Sequence, residues 1–473
     1  MLGQSSGKAP PKKLFAALVL FVIALWLFSF RAFYPGLVTD DSTIQFHEAL
    51  TGRYSNTFPP LMSATWHLLN KISSGTVVFL CLDLALYWTA FGSLAFHYLY
   101  RGRRLAVFIP VAGLFPFLLA FAGVIWKDIL LAGAWGACCG FLILSIGVAQ
   151  SRPLAAVLLR IVAAALLVFG AAIRHNAAPA GVILALAVCL AGSGASRSTK
   201  VVMSAGLAML VGFAVPTSSR ILRAEDTFPL HQLLSWDLTG ISYFSGEDYR
   251  VVPTRPLRPK TIACYSPRLC YACPMVDLRN KADSLSRWWN AVRQHPIAYV
   301  KHRALVFSML FRFGCSNCNP YVFVQRSQAN PYGFSFAENP LHQLIRQATY
   351  FMVRTPFSRP YLWLVASAGL TLLLWKERKR PTCLALAAIA ASGFVYGMTY
   401  FFVVITDEFR YLYWLIFSVI FVAAALAFET DALRWKRSVA FLLLPLLAIW
   451  TAEHGFRMIW HTEDIAPSMA TNY

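Results

Sequence analysis

Apolar runs of about sixteen or more residues recur along this chain of 473, too many and too long for a soluble core to absorb. Hydrophobic residues make up 58% of the sequence and charged residues only 13%, with a mean hydropathy of +0.56. The runs are continuous rather than alternating, which excludes a membrane β-barrel. The fold class read from this pattern is an all-α polytopic membrane protein. About 11 transmembrane helices are expected, near 14–33, 76–99, 105–125, 129–149, 154–172, 177–195, 201–219, 360–375, 382–404, 412–428 and 438–452.

The connections between runs give the topology. Lys8, Lys12 and Lys13 precede the first run, and no small-residue cleavage site follows it, so it reads as a retained helix with a cytoplasmic N-terminus. Basic clusters then follow every second span: Arg101, Arg103 and Arg104; Arg152; Arg197 and Lys200; Lys376 to Arg380; Arg434 to Arg437. All fall on the N-terminal side, as the positive-inside bias requires. The chain divides into a first group of seven helices (1–219, with the first outer loop at 34–75), a long outer-face loop region (220–359) and a C-terminal group of four (360–473).

The 220–359 loop carries 18 Lys and Arg against 8 Asp and Glu, a net of +10. Long translocated loops escape the charge bias, so an outside, periplasmic position is consistent with this excess. Two stretches within it, 296–313 and 341–357, read as interfacial amphipathic helices; if both crossed the membrane the count would be thirteen. Part of the overall charge of +21 is topological, and the rest suggests an anionic substrate or anionic lipid headgroups. No aromatic-basic recognition motif points to nucleic acid. The loop also holds Cys264, Cys270, Cys273, Cys315 and Cys318. Cys270-x-x-Cys273 with Cys315-x-x-Cys318 has the spacing of a four-thiolate zinc site, whereas an oxidising outer loop favours disulfides among the five.

Between the first and second spans lies the polar stretch 34–60, YPGLVTDDSTIQFHEALTGRYSNTFPP. A carboxylate near mid-bilayer costs about 2.5–3.5 kcal/mol, so Asp40 and Asp41 force the chain out of the hydrocarbon before Thr39. On the expected topology four polar clusters share the outer face. They are Asp40 and Asp41 with Gln45, His47 and Glu48; Trp126-Lys127-Asp128; Arg174-His175-Asn176; and the segment 406–411 with Asp407, Glu408, Arg410 and Tyr411. Each has an ordinary alternative: a helix cap for Asp41, an interfacial pair for Lys127 and Asp128, a snorkelling Arg174, a solvated turn at 406–411. Their shared side makes a joint site geometrically reasonable. From the residues alone, Asp40 and Asp41 could serve as a catalytic base, as metal ligands or as a solvated helix cap.

Several short motifs also occur in order: Pro35-Gly36, Asp41-Ser42, Gln45, Pro59-Pro60, Lys127-Asp128, Arg174-x-Asn176, Asp237-Leu238-x-Gly240-Ile241-Ser242, His295-Pro296-x-x-Tyr299-x-x-x-Arg303 and Arg410-Tyr411. In this order the chain resembles bacterial glycosyltransferases of the multi-span GT-C fold, the polyprenyl-phosphate-sugar-dependent relatives of protein mannosyltransferases. The resemblance implies a sugar carried on polyprenyl phosphate, a glycan or lipid acceptor, surrounding membrane lipids, and no nucleotide cofactor. Such a donor makes Lys127, Arg174 and Arg410 the candidate phosphate-binding cations and Asp41 the candidate base, with Asp40 orienting it or helping to hold a divalent ion. It implies transfer at the outer face of a bacterial inner membrane, with a cell-envelope product. Relatives often carry His before the Pro-Pro pair, where this chain has Phe58; that departure bears on whether a Mg or Mn ion is used. Two other functions compete, a flippase for a lipid-linked glycan and an O-antigen-type polymerase or ligase. A flippase needs polar residues deep in the spans, and Asp83 and Arg160 are the main ones present.

Overall fold

The computed structural model describes residues 12–192, 194, 196–249, 265–267, 281–313 and 322–429. Within them the chain forms α1 (Lys12–Phe33), α2 (Asp40–Thr51), α3 (Leu61–Asn70), α4 (Val77–Tyr100), a 3-10 helix (Arg104–Leu114), α5 (Pro116–Leu119), α6 (Lys127–Val148), α7 (Pro153–Ala171) and α8 (Ala178–Leu190). It continues with α9 (Arg197–Gly212), α10 (Ala214–Ile221), α11 (His231–Ser245), α12 (Lys281–Gln294), α13 (Pro296–Phe311), α14 (Pro340–Val353), α15 (Pro360–Trp375), α16 (Pro381–Val403) and α17 (Tyr413–Glu429). The chain is an all-helical, multi-pass membrane protein. Among the described residues, six helices are long and apolar enough to cross a bilayer: α1, α4, α6, α7, α16, and α17 with the 3-10 turn before it.

The other expected spans take different forms. The 105–125 segment is not one helix. Pro110 and Pro116 remove backbone donors and Gly113 weakens the turn between them, so the segment breaks into the 3-10 helix, α5 and an extended stretch. The 177–195 and 360–375 segments form the shorter apolar helices α8 and α15. The 201–219 segment is the pair α9 and α10, bent by 57° at Phe213. The 438–452 span and the five loop cysteines lie outside the described residues.

At the centre stands α6, buried along nearly its whole length against α4, α7, α16 and α17. Small residues allow that approach. A Cβ on Gly140 would stand 2.8 Å from the Ala90 carbonyl and 2.9 Å from the Ser93 side chain, and one on Gly136 would meet the Phe417 ring at 2.6 Å. The outward faces of α1 (Leu20, Ile23, Leu27), α7 (Leu154, Leu158, Ile161) and α9 (Val202, Met203, Leu210) remain exposed, as lipid-facing surfaces do. The isolated ionisable residues within the spans behave differently from each other. Arg160 donates to the carbonyls of Val188 and Ala191, closing the end of α8. Asp83 is buried with both carboxyl oxygens lacking a hydrogen-bond partner.

The two expected interfacial segments correspond to α13 and α14. On α14 the pattern is amphipathic, with His342, Ile345 and Thr349 buried and Leu344 and Phe351 exposed. On α13 it is not, because Arg303, together with Arg312 just past its end, is buried rather than turned to the surface. The reason is an acid on α11. Asp237 faces Arg303 and His302, and with α12 these helices close a second small core of Leu234, Leu238, Ile241, Ala291 and Ala298.

Replacing Gly140 with Val is expected to destabilise the protein by about 1–3 kcal/mol. Gly212→Val, where an added Cβ meets nothing within 4 Å, should cost far less in the same thermal melt in detergent.

Candidate functional site

The site begins where α1 releases the chain. Leu37 forms a parallel bridge with Val124: its N–H donates to Gly123 O at 3.0 Å, and its carbonyl accepts from Ile125 N at 2.9 Å. On the other side, the Gln328 N–H donates to Val38 O at 3.0 Å, and the Val38 N–H donates to Ser327 Oγ at 3.3 Å. The strand-like stretch is therefore clasped between 123–125 and 327–328. Two residues later α2 starts, with Thr39 as its N-cap in an extended conformation. Ser42 Oγ donates to Ile125 O at 2.7 Å, and Trp126 Nε1 donates to Thr39 Oγ1 at 2.7 Å. These bonds pin the first turn of α2 against the first turn of α6. Asp41 and Lys127 become neighbours although 86 residues separate them.

Asp41 Oδ2 lies 3.4 Å from Lys127 Nζ and 3.1 Å from Arg410 Nη2. Burial alone would raise this carboxyl, but Lys127 and Arg410 outweigh it and hold it at about 2. Arg410 also pairs through Nε with Glu408, and its guanidinium lies 4.3 Å over the Trp126 ring. Lys127 Nζ sits 3.7 Å from the centroid of the Phe58 ring. Phe58 thus supports a cation with its ring face.

Arg174, in the turn between α7 and α8, forms a second pair. Its Nη1 bonds to Asp128, Nη2 donates to Tyr400 Oη at 3.1 Å, and Nε donates to Asn176 Oδ1 at 3.3 Å. Asn176 is held in turn by Thr399 Oγ1 at 3.2 Å. Tyr411 stacks on Tyr400 with ring centroids 5.5 Å apart and lies within 5.2 Å of the Arg174 guanidinium. Lys127, Arg174, Asn176, Tyr400 and Tyr411 open onto one cavity of about 600 Å³, which Phe58 and His175 also line. Burial and the charges of Lys127 and Arg174 push His175 down to about 4, so it is neutral at physiological pH. One wall of the cavity is α10, through Val215, Pro216 and Ser219. The opposite side of α10 lines an apolar groove of about 590 Å³ with Leu61, Val168, Phe169, Met209 and Phe213.

The structure therefore brings together Asp41, Lys127, Asp128, Arg174, Asn176, Arg410 and Tyr411. The other expected members of the first cluster stand apart. Asp40 is exposed, its N–H donating to Gln328 Oε1 at 2.6 Å. His47 is exposed and bonded to Tyr332 Oη at 2.8 Å. Gln45 is buried with its amide lacking a hydrogen-bond partner. Glu48 is consumed structurally, accepting from Ser55 and Ser63 to fold the loop back under α2. A divalent ion at Asp40 and Asp41 does not fit this arrangement. Asp41 already faces two cations, and among the described residues no three His, Cys, Asp or Glu side chains gather around a common point.

Trp126 and Glu408, members of the expected clusters, stand with Phe58 around the cations, whereas sequence did not single out Tyr400 and Thr399 behind Arg174. Hydropathy places the last two inside a span and gives no sign of their polar partners. The Asp237 and Arg303 motifs also acquire a role. Arg303 Nη2 lies 2.5 Å from Asp237 Oδ1, Trp288 Nε1 donates to Asp237 Oδ2 at 2.8 Å, and Arg303 Nη1 donates to Val404 O at 2.8 Å. Val404 caps α16 and leads into 405–411. The second small core is thus bolted to the segment that carries Arg410 and Tyr411.

No protein-family model matches the chain, and no curated protein matches it in sequence. In structure it is similar to the archaeal oligosaccharyltransferase AglB from Archaeoglobus fulgidus, solved in complex with an inhibitory peptide and a dolichol-phosphate. That match covers 92% of this chain and 54% of the other, at 14% identity and a TM-score of 0.40. A structure of the A. fulgidus oligosaccharyltransferase in the apo form matches similarly, with 91% and 54% covered, 14% identity and a TM-score of 0.40. The chain spans about half the length of those proteins. Likeness at this level does not assign a family.

Arg174→Gln or Asp128→Asn leaves an unpaired buried charge, and each is expected to cost about 3–5 kcal/mol in unfolding experiments. The double substitution should cost less than the two single losses added together. A second expectation follows from the low Asp41 pKa. A depressed carboxyl contributes stability that is present above its ordinary value of 3.8 and lost as pH falls towards about 2. The difference in melting temperature between wild type and Asp41→Asn should therefore be constant near neutrality and shrink on acidifying from about pH 4 to about pH 2.

Proposed function

We propose that this protein is a membrane glycosyltransferase that moves a sugar from a polyprenyl-phosphate donor to a cell-envelope acceptor at the outer face of a bacterial plasma membrane. The N-terminus is cytoplasmic, and the first outer loop, the 220–359 region and the tips of α6, α8 and α16 form the outer working face. One observation carries the reading: Asp41, Lys127 and Arg410 meet in a single cluster beside a cavity that adjoins an apolar groove across α10. A lipid-linked phosphate asks for that combination, with cations for the phosphate and an apolar surface for the tail. A carboxylate must also be near to accept the acceptor hydroxyl proton.

In this reading Asp41 acts as the base, while Lys127 and Arg410 stabilise the departing phosphate. Arg174 is held by Asp128, Tyr400 and Asn176, and it shapes the cavity and adds positive potential there. Phe58 and Tyr411 offer ring faces on which a pyranose can stack. The chemistry uses the chain's own side chains throughout. A transport path is less well served: Arg160 closes the end of α8, and Asp83 is buried without a hydrogen-bond partner.

The test is transfer in membranes or detergent from radiolabelled polyprenyl-phosphate sugars, with mass spectrometry of lipids that copurify. Asp41→Asn is expected to lower turnover by about 10²–10⁴-fold. Arg410→Gln should lower it by about 10²–10³-fold. Near-normal transfer by a correctly folded Asp41→Asn protein would remove Asp41 from the role of base.

A further inference from the structure

The carboxylate assigned as base and the two cations assigned to the donor phosphate are already bonded to each other. Asp41 Oδ2 lies within 3.4 Å of Lys127 Nζ and 3.1 Å of Arg410 Nη2, so a single oxygen occupies the point where both cations converge. A phosphate oxygen bound by the same ammonium and guanidinium would have to take that point. The third cation offers no alternative seat of equal freedom, because Arg174 is buried and its donors go to Asp128, Tyr400 and Asn176. Asp41 is more accessible, with 26% of its side chain exposed against 1% for Asp128. Of these two carboxylates it is the one that can be exchanged.

We infer that the Asp41 carboxylate occupies the seat of the donor phosphate in the resting protein, and that the phosphodiester displaces it, one negative charge for one. This inference rests on the donor reading given above and adds an order to it. While paired to two cations, Asp41 has its lone pairs engaged and is a poor proton acceptor. Once the phosphodiester has taken Lys127 and Arg410, the carboxylate is released beside it as a free base. An acceptor hydroxyl then gives its proton to Asp41, and its oxygen forms the new bond to the anomeric carbon. The bond from that carbon to the phosphate oxygen breaks with its electron pair going to the phosphate. Polyprenyl phosphate leaves with one more negative charge, held by Lys127 and Arg410. When it departs and the Asp41 proton passes to solvent, the carboxylate returns to the cations. Activation of the acceptor is thereby confined to protein that already carries donor.

The experiment measures binding of polyprenyl phosphate, without sugar, to the full chain in detergent. Wild type, Asp41→Asn and Asp40→Asn are compared by intrinsic tryptophan fluorescence. Removing the competing carboxylate is expected to tighten binding about tenfold in Asp41→Asn even though transfer is lost. The same charge change one residue away, in Asp40→Asn, should alter affinity by less than about twofold. Lys127→Gln should weaken binding, and by a larger factor in the Asp41→Asn background, where no carboxylate shares the cation. Should Asp41→Asn fail to fold, Asp41→Ser carries the same comparison. Equal or weaker binding in a folded Asp41 variant overturns the exchange while leaving the donor reading standing. Absence of binding in every variant overturns both.

Discussion

Charge pairing at the rim of an apolar bundle is the constraint on which the rest depends. Lys127 and Arg174 sit at helix ends where hydrocarbon gives way to water, and neither can be left bare there. Asp41 and Asp128 meet that requirement, and in doing so they tie α2 to α6 and the α7–α8 turn to α6. Arg410 joins the 405–411 segment to the same knot. The electrostatic solution to a solvation problem is thus also the device that assembles a polar site from four separated pieces of chain.

The short clasp at 37–42 gives the knot its geometry. An ion pair alone tolerates several ångströms of drift, but the Leu37–Val124 bridge and the Ser42 and Trp126 hydrogen bonds do not. Behind the other cation, Tyr400 and Thr399 supply a similar frame from α16. The second small core of α11–α13 contributes at longer range through Arg303, whose buried charge is balanced by Asp237 while it holds the carbonyl of Val404.

Much of this was legible in the residues themselves. Apolar run length located six long helices to within a few residues, and the energetic cost of Asp40 and Asp41 put a polar loop between α1 and α4. The alternation of basic clusters assigned Asp41, Lys127, Arg174 and Arg410 to a shared side, and these residues do meet beside one cavity. Hydropathy failed where apolar composition and backbone chemistry disagree. The 105–125 run is apolar enough to span, yet Pro110 and Pro116 fragment it. It failed again at Arg303, because a surface reading of a charged residue presumes that no buried acid awaits it. Partners distant in sequence, such as Trp126 for Thr39 or Ser63 for Glu48, leave no periodic trace and become visible only in three dimensions.

The bend at Phe213 has a mechanical consequence. With sixteen residues, α9 rises about 24 Å, short of the roughly 30 Å of a typical hydrocarbon layer. A helix shorter than that layer is met by local thinning of the bilayer rather than by tilting, and α10 is joined to it by a single residue. The wall shared by groove and cavity is thus hinged to an element around which the bilayer has to thin. Thickness of the host membrane thereby bears on the cavity without touching any residue in it.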